Sequence, residues 1–188
     1  MMEHTIKDNI AKRIEAMNQR VTEIKSQDLY FYNQPVEELR GGSRVLVNGK
    51  EMGMYASYSY LGLVGHPKIN KAAQQAIEQY GTGTHGVRTL AGSLKLHQEL
   101  EETIAAFKHA DAAITFTSGY VTNLTVVSTL IGRGDYVISD KLNHASIVDG
   151  CLMSGAKFLR FPHNDMEALE QRLKQVPDGY AKLVIADA

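Results

Sequence analysis

Strand-like runs start near Ala112, Tyr136, Lys157 and Lys182, and helical patterns starting near Val121, Ala145 and Asp165 fill the gaps. Successive strands are thus separated by roughly two dozen residues, too many for a hairpin and enough for one helical crossover. Such crossovers are right-handed and join parallel neighbours. The second half is therefore predicted to be α/β, a mainly parallel sheet with flanking helices. In open sheets of this kind, ligands bind beyond the carboxyl ends of the strands. The residues just after each strand are the first place to look for chemistry.

The first half reads differently. Residues 5–26 carry Ile6, Ile10, Ile14, Met17, Val21 and Ile24 at three- and four-residue spacing, the stripe of an amphipathic helix. A packing or dimer-contact helix suits that stripe, because the Lys and Arg around it are balanced by acids. Residues 30–42 are irregular. Residues 44–52 read as a hairpin, since Asn48-Gly49 suits a tight turn between strands. His66-Pro67 opens a helix to about Tyr80, with Pro early in the first turn. Residues 81–92 form a glycine-rich loop. A further helix spans 94–107, with Ser93 as its cap. We divide the chain into an N-terminal helix and hairpin segment, 1–53, and a partial large domain, 54–188.

Composition removes several function classes. The net charge is −1, so no basic surplus points to nucleic acid. The single cysteine excludes an intrachain disulfide and a multi-cysteine metal site, and no metal is expected. Cys151 sits among apolar and small residues and reads as a buried, inert thiol. No apolar run approaches the ~20 residues of a membrane span. The first residues have no apolar signal core, so a cytoplasmic protein is expected. The final run, Leu183-Val184-Ile185-Ala186-Asp187-Ala188, is a strand reaching its ligand-binding edge. A truncated product is therefore expected.

Gly81-Thr82-Gly83-Thr84-His85-Gly86 has the spacing of a dinucleotide fingerprint, but a helix precedes it and more loop follows, against the strand-turn-helix context that motif needs. A tight loop near a site or subunit interface fits better. His85 is open to either a ligand contact or an ordinary loop role. Ser118-Gly119-Tyr120 follows a strand-like run and opens a helix. The Gly119 and Tyr120 N–H groups are placed to bind an anion, and Gly lets the backbone approach closely. An ordinary cap by Ser118 is the alternative. His144, in Asn143-His144-Ala145-Ser146, stands at the next strand-to-helix corner. It is either a ring-stacking residue or a cap neighbour. His163-Asn164-Asp165 ends a strand, with Asp165 capping the next helix. Neither a His-Glu-x-x-His run nor a Gly-x-Ser-x-Gly elbow occurs.

Taken together, Tyr60-Leu61-Gly62-Leu63, His66-Pro67, Gly81-Thr82-Gly83, Ala91-Gly92, His97 with Leu100-Glu101, Ser118-Gly119-Tyr120 with Asn123, Gly132-Arg133-Gly134-Asp135, Asn143-His144-Ala145-Ser146 and His163-Asn164-Asp165 resemble the α-oxoamine synthases in text and order. The resemblance runs from about Met54 to the final residue. It implies the N-terminal part of a fold-type I enzyme that uses pyridoxal 5'-phosphate (PLP) and works as a homodimer. The family condenses a small amino acid with an acyl-CoA or acyl-carrier thioester, loses CO2 and yields an α-amino ketone. By the resemblance, His144 stacks on the pyridine ring as the catalytic and cofactor-binding histidine. Gly119 and Tyr120 hold the phosphate through their backbone, and Ser118 supports that turn. Tyr58-Ser59 departs from the Asn that many relatives carry before the Tyr-Leu-Gly-Leu run. The family's Schiff-base Lys and the Asp that pairs with the pyridine nitrogen belong to its later half. Asp187 is not that Asp, and Lys141, Lys157 and Lys182 fall outside the Lys position. These 188 residues alone are thus expected to be inactive. Two alternatives stay open: another fold-type I PLP enzyme, such as an aminotransferase or lyase, and a non-catalytic half-domain that dimerises or binds a partner.

Overall fold

The computed structural model describes residues 2–187. The chain forms two compact units, Met1–Gly83 and Thr84–Ala188.

The first unit opens with helix α1, Met2–Ser26, three residues longer at its start than its periodicity suggested. Ile10, Ile14 and Met17 stay exposed, so the apolar stripe is unpacked among the described residues. Strands β1 (Glu38–Leu39), β2 (Arg44–Val47) and β3 (Lys50–Gly53) form an antiparallel sheet in that order. The Asn48-Gly49 turn has positive φ at both residues, the backbone that joins two twisted strands most closely. Two-residue β1 has too little periodicity to be seen in sequence. Helix α2, Pro67–Tyr80, starts as predicted, and the His66 Nδ1 accepts the Lys68 N–H at 3.3 Å.

The second unit carries helices α3 (Lys95–Lys108) and α4 (Gly119–Leu130), then an alternating run: β4 (Tyr136–Asp140), α5 (Ala145–Ser154), β5 (Lys157–Phe161), α6 (Met166–Lys174) and β6 (Lys182–Ile185). The sheet order is β5-β4-β6, all parallel, as the βα spacing required. Every residue of the central strand β4 is buried. Its alternate side chains serve two cores, as period-two geometry demands. Val137 packs with Val127, Ile131, Ile147 and Cys151 under α4 and α5. Tyr136 and Ile138 pack with Phe161 and Val176 on the α6 side. Burying Ile138 completely contributes about 1.5–3 kcal/mol. Cys151 is fully buried and its thiol pKa is pushed up by that burial, in keeping with an inert role.

Two expectations are corrected. Residues 112–116 are not a strand. The Thr115 N–H donates to the Glu101 carboxylate, and the Thr115 carbonyl accepts from Arg88, so its backbone is engaged by side chains instead of a ladder. Ser93 does not cap α3. Leu94 takes that position, and the His97 Nδ1 reaches back to accept the Leu94 N–H at 3.0 Å. The loop before α3 closes on itself at Gly92. A Cβ there would lie 1.7 Å from the Gly86 carbonyl oxygen, a separation no side chain survives. Helix α2, not a strand, leads directly into the Gly81–Gly86 loop, which removes the dinucleotide reading.

Candidate functional site

Beyond the carboxyl end of β4, the first turns of α4 and α5 stand side by side. Each helix starts with unpaired backbone N–H groups, the positive end of its dipole. At α4, Ser118 is extended and its Oγ accepts the Val121 N–H at 3.2 Å. The ordinary cap by Ser118, the alternative to an anion site, is therefore present. It leaves the next two amides, Gly119 and Tyr120, without an acceptor among the described residues. A Cβ at Gly119 would meet nothing within 4 Å, so the space before these amides is open. The Tyr120 phenol donates to the Asp149 carboxylate on α5, and that bond, with desolvation, raises the phenol's pKa.

At α5, His144 occupies the cap position and is exposed. Its Nδ1 accepts the Ser146 N–H at 3.1 Å and lies 2.7 Å from the Ser146 Oγ. That hydroxyl is 3.0 Å from the Asn123 Nδ2 on α4. His144 thus caps the helix through Nδ1, and the residue is exposed.

In the sequence, Asn143, Asn123 and Ser146 are motif neighbours with no part of their own. The structure gives each one. Asn143 is buried, and its Nδ2 donates to the Ser139 Oγ at 2.8 Å and to the Ile185 carbonyl at 2.9 Å. Its Oδ1 accepts the Asp187 N–H at 2.7 Å. The Asp187 carboxylate in turn accepts the His144 N–H at 3.2 Å. The end of β6 therefore fixes the backbone on which His144 sits. Asp140 closes the next loop. It accepts N–H bonds from Leu142 and Asn164 and lies 3.1 Å from the His163 Nδ1. The Leu142 N–H, more than His163, holds its carboxyl below the usual range. Asp165 caps α6 as expected, taking the Ala168 N–H at 2.9 Å.

Upstream, Arg88, Glu101 and Thr115 tie the glycine-rich loop and α3 to the segment that leads into Ser118. The Arg88 guanidinium, with the Thr115 N–H second, holds the Glu101 carboxyl down at about 2. A cavity of about 720 Å³ lies beside this cluster, bordered by Arg88, His97, Thr117 and Val121. Of the lysines, Lys157 donates to the Tyr136 phenol oxygen at 2.9 Å. Among the described residues no group of His, Cys, Asp or Glu could hold a metal, and no helix is long and apolar enough to cross a membrane.

What the arrangement can do is bind an anion at two open amides, with a flat imidazole nearby. The open space at Gly119 and the exposed His144 fit a phosphorylated ring compound. Serine palmitoyltransferase of S. paucimobilis, solved with a bound PLP–myriocin aldimine, superposes with a TM-score of 0.88 at 33% identity, over 92% of this chain and 44% of its own. The 8-amino-7-oxononanoate synthase of Geobacter sulfurreducens is 46% identical over 165 residues, 88% of this chain and 42% of that protein. A serine palmitoyltransferase of Sphingobacterium spiritivorum is 40% identical over 181 residues, 96% and 45% of the two chains. The chain spans less than half the length of these relatives. The model of the family described as aminotransferase class I and II matches residues 53–187, and the chain belongs to that family.

Proposed function

We propose that this chain is the cofactor-cradling part of an α-oxoamine synthase, a cytoplasmic homodimer that joins an amino acid to an acyl thioester with loss of CO2. The observation that carries the reading is the pair of neighbouring helix starts, one with open amides at Gly119 and Tyr120, the other bearing His144. PLP, when bound, supplies the electron sink for the carbanion that such a condensation needs. The Gly119 and Tyr120 N–H groups would hold its phosphate with help from the α4 dipole. Ser118 keeps that turn in shape. The His144 imidazole would stack on the pyridine ring of the bound cofactor, its backbone held by Asp187 and Asn143. In this reading the Schiff-base lysine and the partner of the ring nitrogen come from sequence outside these 188 residues.

The test is an assay of the intact protein with glycine, alanine or serine and an acyl-CoA. Release of free CoA and CO2 in equal amounts, dependent on PLP, is the expected result. Amino-group transfer without thioester consumption would overturn it in favour of an aminotransferase. His144→Ala should weaken PLP binding by about tenfold, the scale of one lost ring-on-ring contact, read from the bound cofactor's absorbance.

A further inference from the structure

The backbone N–H of Ser146 is a donor that cannot be reversed, and it points at the His144 Nδ1 from 3.1 Å. A nitrogen that accepts this bond carries no proton. The Ser146 Oγ, 2.7 Å from the same Nδ1, must then turn its hydrogen toward the ring, since two lone pairs at that distance repel. With its only hydrogen so engaged, Oγ has lone pairs left, and the amide nitrogen of Asn123 donates to it at 3.0 Å. Direction passes along the chain without a break: Asn123 to Ser146 to His144. Ser146 is fully buried, which shields the relay from competing water.

We propose that Ser146 and Asn123 are positioning residues for His144, which hold its ring in one orientation with the proton on Nε2 and not on Nδ1. The consequence for the cofactor rests on the role proposed above for His144; the tautomer does not. A ring flip would place Cδ2–H against both Ser146 donors and lose both bonds. The relay therefore fixes the plane of the imidazole and presents an N–H at its exposed edge. It also couples His144 to α4, because Asn123 lies one turn beyond Gly119 and Tyr120. The ring face and the anion-binding amides are held by one set of hydrogen bonds.

The experiment uses the intact protein labelled with ring-15N histidine, the His144 signals being assigned by difference with His144→Asn. Wild type should show a bare Nδ1 and a protonated Nε2, with and without added PLP. Asn123→Asp replaces the donor by an acceptor, reverses the Ser146 hydroxyl and turns its lone pair toward Nδ1. The ratio of the two tautomers should then move toward Nδ1–H by tenfold or more. Ser146→Ala removes one of two donors and should move the ratio in the same direction by a smaller factor, which keeps the test in hand should the aspartate variant not fold. A proton on Nδ1 in wild type, or a ratio unchanged in the folded variants, overturns the inference. A wild type that keeps Nε2–H but does not bind PLP supports the relay and removes the cofactor reading instead.

Discussion

Protonating Glu101 would weaken four hydrogen bonds at once, two from Arg88 and two from Thr115. Its folded pKa of about 2 lies below the ordinary 4.5. A carboxylate depressed on folding stabilises the protein above the unfolded value, and that stabilisation is lost as pH falls through the folded one. Melting temperature should therefore fall as pH drops from about 4.5 to 2. Asp140, also depressed, acts with the same sign, so wild type alone does not isolate Glu101. Glu101→Gln does. It should melt lower than wild type at pH 7, and the gap should close toward pH 2. A gap independent of pH would mean that the carboxylate's charge is not what holds the loop. The affected residue, Thr115, lies just before Ser118, so the same variant should also loosen PLP binding while leaving the sheet intact.

At the level of elements, the crossing of α4 and α5 decides where both helix starts lie. Gly150 allows it: a Cβ there would sit 3.1 Å from the Asn123 carbonyl oxygen and 3.3 Å from the Leu124 Cα. Gly150→Ala should cost about 1–3 kcal/mol in denaturant unfolding, the usual cost of overpacking. It should weaken PLP binding too, because the helices part near Asn123. The elements themselves were largely legible. Period-two and helical spacing located the three parallel strands from Tyr136 onward, α4, α5 and α6, and the Asn48-Gly49 turn marked the hairpin. Residues 112–116 had the apolar text of a strand, yet text does not reveal that Glu101 and Arg88 take up the Thr115 backbone. The helix starts at Ser118 and His144 were visible from their local text, while the roles given to Ser118, Gly119, Tyr120 and His144 came from the resemblance. Asn143 and Asp187 were not visible as a pair, because their bond joins residues 44 apart and leaves no mark in either neighbourhood. Asn123 and Ser146 likewise meet only once α4 and α5 are packed.

Across the whole molecule, protection from solvent is concentrated in one strand. β4 is paired on both sides and buried on both faces. The amides of Val137, Ile138 and Ser139 should exchange with deuterium more slowly than those of any other segment of the chain. Residues 112–116 should exchange at least about 100-fold faster, except Thr115, whose N–H is held by Glu101. Uniform slow exchange over 112–116 would show a ladder that the structure lacks. Strand order has a further consequence when the chain is made from its first residue to its last. β6 pairs with β4, yet Asp187 leaves the ribosome 44 residues after Asn143, about 2–9 s later at ordinary synthesis rates. During that interval the α4 and α5 turns can form, but the Asn143 Oδ1 and the His144 N–H still lack Asp187. The backbone at His144 is therefore set only after the end of β6 has emerged, so the two helix starts are fixed by a segment made well after both of them.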